Sequence, residues 1–153
     1  MKGISNIAII GGGIGGMCAA IQLRKQGYHV DLVEQRDTLK PLGAGISLSA
    51  ATLRALKEIG VINKVLDIAG SYSVFEVFTA EGHKIMQAPI LPAIGAEDLT
   101  NHNAGILRTK LAEILENYLR ELSVNVILSK TVEKIQNRAD GIDIQLTGDT
   151  DWR

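Results

Sequence analysis

The sequence predicts an α/β fold in which a parallel sheet is covered by helices and interrupted by a β-rich insertion. Residues 7–34 read as a strand, a helix and a second strand around a glycine-rich turn. Residues 108–122 carry apolar side chains at the i, i+3, i+4 and i+7 positions of an amphipathic helix. Residues 72–86 are instead rich in strand-forming side chains, so a second layer is expected to begin in an insertion from about residue 71 to residue 102.

The turn after the first strand has the spacing of a dinucleotide-binding fingerprint. An apolar strand that ends at Ile10 runs into Gly11, Gly13 and Gly16, and a helix to about Gln26 follows. Gly11 would allow the tight turn, Gly13 would let the backbone approach a pyrophosphate, and Gly16 would let the helix pack closely on the strand. The unpaired N–H groups and the dipole at the helix N-terminus would then hold the phosphate charge.

The second strand, residues 28–34, ends on an acidic residue, Glu34, near the expected spacing of about 20 residues after the first glycine. Its carboxylate can accept hydrogen bonds from ribose hydroxyls and would repel a 2′-phosphate, which argues against NADP in this site. The fingerprint does not separate FAD from NAD. A glycine-rich turn that binds nothing is the remaining interpretation.

The middle of the chain is predicted from local signals. Residues 35–46 are expected to form a loop, and Ser49 is expected to cap a helix that Gly60 ends. A short helix should follow, and the pair Glu81-Gly82 indicates a hairpin turn. Residues 87–105 contain prolines and glycines, so a loop or an irregular crossing is predicted there.

The C-terminal part is predicted to begin with the amphipathic helix and to continue as strands. Two strands are expected near residues 123–128 and 141–147, with a strand-like link at 131–136. The predicted order of elements is therefore βαβ, helices, a β-rich insertion, and then a helix with more strands.

Composition sets broad limits. The length of 153 residues fits one domain, and the hydrophobic content of 46% with 22% charged residues is ordinary for a globular protein. The net charge of −1 gives no sign of a nucleic-acid or anionic-membrane partner. The chain enters a strand directly and has no long apolar run, so we expect a cytoplasmic protein. The three histidines, His29, His83 and His102, are scattered, and no metal site is predicted.

Three segments together resemble one protein family. They are GGGIGGMCAA with the strand ending VDLVEQR, then PLGAGISLSAATLRALKEIGV, then GILRTKLAEIL. In this order they resemble the FAD-dependent aromatic hydroxylases, the single-component flavoprotein monooxygenases similar to p-hydroxybenzoate hydroxylase. The first segment is shared by many dinucleotide-binding families, whereas the second and third are much more specific. The resemblance covers essentially the whole chain.

The resemblance implies a set of FAD contacts. They are Gly11, Gly13, Ile14 and Gly16 at the pyrophosphate, Glu34 at the adenosine ribose, Arg36 near the adenine or its ribose, Gly45 and Ile46 beside the flavin, Arg108 near the linking phosphates or ribityl chain, and the Val132 backbone beside the adenine. An arginine at a helix start is unfavourable with the macrodipole, and an anionic ligand supplies a reason for it. A solvated surface arginine is the alternative at that position.

The resemblance also implies a fold and a reaction. The fold would be a Rossmann-like FAD-binding domain of residues 1–70 and 103–153, with residues 71–102 starting a β-rich substrate domain. The intact enzyme would use FAD, NAD(P)H and O2 to hydroxylate a small aromatic substrate. The chain lacks the family's later Asp-Gly and Gly-Asp flavin motifs, so it looks truncated and the catalytic residues are unknown. Its expected partner is the missing C-terminal portion or a second copy in a homo-oligomer.

Two other functions stay open at this point. One is an NAD-dependent dehydrogenase that uses the same fingerprint. It is disfavoured by the GAGISLS loop and by the helix at Arg108, neither of which a plain NAD-binding fold requires. The other is a non-catalytic nucleotide-binding or assembly module, which would be favoured if 153 residues were the natural full length.

Overall fold

The computed structural model describes residues 4–90 and 103–153. The elements in chain order are β1 (Asn6–Ile10), α1 (Ile14–Lys25), β2 (His29–Val33), β3 (Gly45–Leu48), α2 (Ala50–Ile59), α3 (Ile62–Leu66), β4 (Gly70–Tyr72), β5 (Val74–Phe78), β6 (Lys84–Pro89), β7 (Asn103–Leu107), α4 (Arg108–Glu121), β8 (Asn125–Ile127), β9 (Val132–Asn137) and β10 (Ile142–Leu146). They form two compact units. The first unit is Met1–Pro41 with Ala112–Arg153, and the second unit is Leu42–Leu111.

The first unit contains the predicted parallel sheet. Its strand order is β1-β2-β8, and both neighbouring pairs are parallel. The α1 helix ends at Lys25, and Gly27 follows it with φ +94°. That left-handed conformation favours glycine and ends the helix as the sequence predicts. The strands β9 and β10 form a separate antiparallel pair. The core is built from side chains that are almost fully buried: Met17, Ile21, Leu32, Val33, Leu115, Leu119 and Leu146.

The second unit contains antiparallel sheet and two helices. Its three-stranded sheet has the order β3-β7-β4, and β5 pairs with β6 as a hairpin. Ser49 caps α2, because its side chain accepts a hydrogen bond from the Thr52 N–H, and Gly60 ends the helix at φ +93°. These local predictions are confirmed. The hairpin turns at Gly82, with φ +87°, as the sequence predicts.

The amphipathic helix predicted from residue 108 is α4. Its buried side chains repeat at helical spacing and include Leu111, Leu115 and Leu119. The helix begins in the second unit and continues in the first. None of the helices in the described parts of the chain combines the length and hydropathy needed to cross a membrane.

Two loop predictions were wrong at their ends. β3 begins at Gly45, inside the loop predicted for residues 35–46. The loop or irregular crossing predicted for residues 87–105 overlaps the end of β6 at residues 87–89 and the start of β7 at residues 103–105. Gly45 lies opposite Leu107 in the antiparallel register of β3 and β7. Pairing between distant segments therefore overrides the low strand preference of glycine. Residues 91–102 of the second loop, with His102, lie outside the described residues.

Candidate functional site

The turn between β1 and α1 is held by backbone hydrogen bonding and by a left-handed glycine. Gly11 has φ +109°, a conformation that side chains other than glycine rarely adopt. Its N–H donates to the Val33 carbonyl oxygen at 2.8 Å. The turn therefore lies at the carboxyl ends of β1 and β2, where open α/β sheets bind their ligands.

The other two fingerprint glycines differ in their surroundings. A Cβ added to Gly16 would overlap the Gly11 carbonyl oxygen and lie 3.6 Å from Ile9 Cγ2. A Cβ added to Gly13 would meet nothing within 4 Å among the described residues. Gly16 is thus required for packing inside the protein, whereas the space beside Gly13 is open to a ligand.

The N-terminus of α1 begins at a residue that has no side chain to cap it. Gly13 is the N-cap residue, and it makes no side-chain hydrogen bond to the first turn of the helix. The first turn of α1 also contains no acidic residue. An anion placed at this helix end would meet the positive end of the helix dipole.

The Glu34 carboxylate links the turn to the end of β2. Its Oε2 accepts a hydrogen bond from the Gly12 N–H at 2.7 Å. Its Oε1 accepts from the Arg36 backbone N–H at 3.0 Å and from Arg36 Nε at 3.1 Å. The residue is 5% exposed. A carboxylate offers about four acceptor positions, so three of them are already filled by this chain.

The environment of Glu34 favours the ionised form. Burial raises its pKa, but hydrogen bonds from the Arg36 and Gly12 backbone N–H groups, with the Arg36 side chain and its charge, lower it more. The net pKa lies below the ordinary value for glutamate. The carboxylate is therefore negative at neutral pH, as a hydrogen-bond acceptor for hydroxyl groups should be.

Sequence reasoning missed Gly12 of this turn and Leu39, a residue of the loop after β2 that packs against it. A Cβ added to Gly12 would overlap Leu39 Cδ2 and would lie 3.0 Å from Glu34 Cβ. The fingerprint leaves position 12 free, so its spacing gives no reason for a glycine there. The only sequence signal was the run of three glycines at 11–13.

The segment after β8 lies beside the end of β2. The Glu34 N–H donates to the Ile127 carbonyl oxygen at 2.9 Å, and the Lys130 N–H donates to the Glu34 carbonyl oxygen at 3.1 Å. The Ser129 N–H donates to the Arg36 carbonyl oxygen at 2.9 Å. Val132, which begins β9 and is half-buried, lies two residues after Lys130. The structure therefore brings residues 127–130, which precede Val132, to the strand end that carries Glu34 and Arg36.

Arg108 and the Gly43 turn are neighbours in the second unit. Arg108 is the first residue of α4, and its N–H donates to the Ala44 carbonyl oxygen at 3.2 Å. Gly43 has φ +126°, and a Cβ built on it would lie 3.9 Å from Arg108 Cδ and Nη1. The guanidinium of Arg108 therefore lies over the turn that leads into β3.

A cleft borders β3 and β7. Its volume is about 470 Å³, within the range of small-molecule sites, and its lining includes Gly45, Ile46, Ser47, Ile68 and Lys110. The predicted site residues thus fall into two groups. The first unit holds Gly11, Gly13, Ile14, Gly16, Glu34, Arg36 and Val132, and the second unit holds Gly45, Ile46 and Arg108. Their roles toward a cofactor stay predictions.

Comparison with known proteins gives a family and several relatives. A family model described as "FAD binding domain" matches residues 5–151. The protein YetM of Bacillus subtilis (strain 168) is 31% identical over 139 residues, which cover 91% of this chain and 37% of YetM. The aurachin C monooxygenase/isomerase of Stigmatella aurantiaca is 28% identical over 149 residues, which cover 95% of this chain and 37% of that protein.

Solved structures show the same fold. The crystal structure of p-nitrophenol 4-monooxygenase PnpA from Pseudomonas putida DLL-E4 matches with a TM-score of 0.85 at 19% identity, over 100% of this chain and 39% of PnpA. At that identity the match concerns the fold alone. As these coverages show, the chain spans little more than a third of the length of the relatives named here.

Proposed function

This chain belongs to the FAD binding domain family, and from that premise we propose that it supplies the FAD-binding portion of a monooxygenase. The intact enzyme would use NAD(P)H and O2 to hydroxylate a small aromatic substrate. The resemblance of the three sequence segments supports this reaction, as does the aurachin C relative, whose name gives it as a monooxygenase/isomerase. The observation that carries the proposal is the open space beside Gly13, which is the N-cap residue of α1 and has no capping side chain.

The residues of the first unit fit the adenosine diphosphate half of FAD. The backbone at Gly13 can be approached closely, and the α1 dipole would stabilise a pyrophosphate charge there. Glu34 has about one acceptor position left, which suits a ribose hydroxyl. Arg36, beside it, would contact the adenine or the ribose. The segment at Val132 would lie beside the adenine through its backbone.

For the residues of the second unit, the proposed cofactor contacts rest on the sequence resemblance. A guanidinium can hold a phosphate through two parallel hydrogen bonds, which is the role proposed for Arg108. Gly45 and Ile46 would offer backbone groups to the flavin from the edge of the cleft. When bound, FAD supplies the redox chemistry, namely hydride acceptance and O2 activation. The chain's own part is to bind and orient it.

Flavin retention tests this function. The purified chain is mixed with FAD, desalted, and measured for the visible flavin absorption band. Gly13→Val should abolish retention, because its side chain fills the space that the pyrophosphate would occupy. Gly141→Val is the matched control, because Gly141 also has open space and lies in the turn between β9 and β10. Retention that survives Gly13→Val would contradict the site, and retention of NAD instead of FAD would favour the dehydrogenase alternative.

A further inference from the structure

We propose that Leu39 is a positioning residue, which holds the phosphate-binding turn in shape through Gly12 and Glu34. This inference rests on the proposed function, because the turn is taken to bind the FAD pyrophosphate. Nothing in the fingerprint spacing assigns a role to position 39 or to position 12. The assignment comes from two contacts that meet at Gly12 in the first unit.

The first contact is between Leu39 and the Gly12 backbone. Leu39 is 2% exposed, and its Cδ2 would overlap a Cβ built on residue 12. The second contact is the hydrogen bond from the Gly12 N–H to Glu34 Oε2, at 2.7 Å and buried. The same carboxylate oxygen lies 3.1 Å from the Cβ position at Gly12. Leu39 therefore packs against the residue whose N–H group the carboxylate holds.

The loop that carries Leu39 is folded back by its own hydrogen bonds. Arg36 Nη1 donates to the Lys40 carbonyl oxygen at 3.2 Å, and the Lys40 N–H donates to Thr38 Oγ1 at 3.1 Å. Arg36 is also bonded to Glu34. Among residues 35–40, all of which are described, Leu39 is the one that is buried. Residues 35–40 thus place one buried apolar side chain, that of Leu39, against the turn at Gly12.

The physical effect is exclusion of water from a charge-assisted hydrogen bond. A hydrogen bond to a carboxylate is stronger in a dry, low-dielectric place than beside water. Shortening Leu39 would open a cavity next to Gly12 and admit water to Glu34 Oε2. Gly12 stands between Gly11, with φ +109°, and Gly13, the N-cap of α1. Loosening residue 12 should therefore change the backbone geometry on which phosphate binding depends.

The test compares cofactor affinity with stability in matched variants. Leu39→Ala should raise the Kd for FAD by roughly tenfold or more, the scale on which groups that orient a binding residue act. Leu39→Met keeps the volume and should bind FAD as the unmodified chain does. Leu119→Ala removes an equally buried leucine of the same unit, in α4. It should lower the thermal midpoint and leave the Kd unchanged.

A second readout needs no ligand. In the unmodified chain and in Leu119→Ala, the NMR resonance of the Gly12 amide should follow the protonation of Glu34, because the two groups are hydrogen-bonded. In Leu39→Ala this response should shrink. If Leu39→Ala does not fold, Leu39→Val replaces it in both measurements.

The outcomes distinguish the positioning role of Leu39 from the proposed FAD-binding function. A Gly12 resonance that titrates in Leu39→Ala as it does in the unmodified chain would overturn the positioning role, and so would an unchanged FAD affinity in that variant. A chain that binds no FAD at all would overturn the proposed function. The amide titration would still decide the role of Leu39 in that case.

Discussion

The surroundings of Gly16 and Gly13 predict that the same added methyl group destabilises the protein at Gly16 and has little effect at Gly13. In Gly16→Ala the new Cβ would overlap the Gly11 carbonyl oxygen, a backbone atom that cannot rotate away. In Gly13→Ala the new Cβ would enter space that no described atom occupies within 4 Å. The pair therefore tests whether α1 packs on the turn through position 16, without reference to any ligand.

The expected magnitudes follow from these surroundings. Overpacking typically costs about 1–3 kcal/mol, and a backbone clash should lie at the upper end. Alanine gains about 1 kcal/mol over glycine inside a helix, so Gly16→Ala should lose a net ~2 kcal/mol. At Gly13, alanine is a poorer N-cap than glycine by roughly 0.5–1 kcal/mol. The reduced freedom of the unfolded chain offsets this by about 0.4–1 kcal/mol, so the net change should be near zero.

The assay is thermal and urea unfolding, followed by far-UV circular dichroism. For a chain of this size, about 1 kcal/mol shifts the thermal midpoint by roughly 2–4 °C, so Gly16→Ala should unfold about 4–8 °C lower. Gly13→Ala should unfold close to the unmodified chain. Equal midpoints for the two variants would refute the argument that Gly16 is required by its contact with the Gly11 carbonyl group.

Three further predictions concern the described contacts. Arg24 Nε donates to the Leu122 carbonyl oxygen at 3.0 Å, so Arg24→Met should lose ~1–2 kcal/mol in urea unfolding, and an unchanged midpoint would contradict this. Ser49→Ala removes the cap that accepts from the Thr52 N–H and should cost about 1 kcal/mol, which Ser49→Asp should largely restore. The lowered pKa of Glu34 means that its stabilising contribution is complete above the ordinary pKa of an unfolded glutamate, and is lost as the pH falls through the folded value. In unfolding measured from about pH 7 to about pH 3, the stability advantage over Glu34→Gln should therefore shrink, and a constant gap would argue against this account.

The features that could be predicted from the sequence depend on neighbours in the chain. The Ser49 cap joins residues three positions apart, and Gly60 ends its helix through its own φ. The strand, turn and second strand of residues 7–34 can likewise be predicted from the spacing of nearby residues. The parallel pairing of β1 with β2 follows from that order of elements. Local patterns of this kind need no knowledge of the rest of the fold.

The features that the sequence did not reveal depend on distant partners. Gly45 belongs to a strand because its backbone lies opposite Leu107, and the intervening residues give no sign of that pairing. A four-residue strand that begins with glycine has weak intrinsic preference. The contact of Leu39 with Gly12 could not be predicted from the sequence for the same reason. It joins a loop to a turn, and a helix and a strand separate the two in the chain.

For Glu34, the sequence pattern and the observed hydrogen bonds must be considered together when its role is tested. The fingerprint predicts a ribose acceptor, yet three of its hydrogen bonds go to donors in this chain. Replacing it would disturb Gly12 and Arg36 before any cofactor arrives, so lost FAD binding in such a variant would not identify the ribose contact. Gly13 avoids this ambiguity, because a side chain there meets no described atom of the protein within 4 Å. The decisive substitution for the cofactor site is therefore at Gly13.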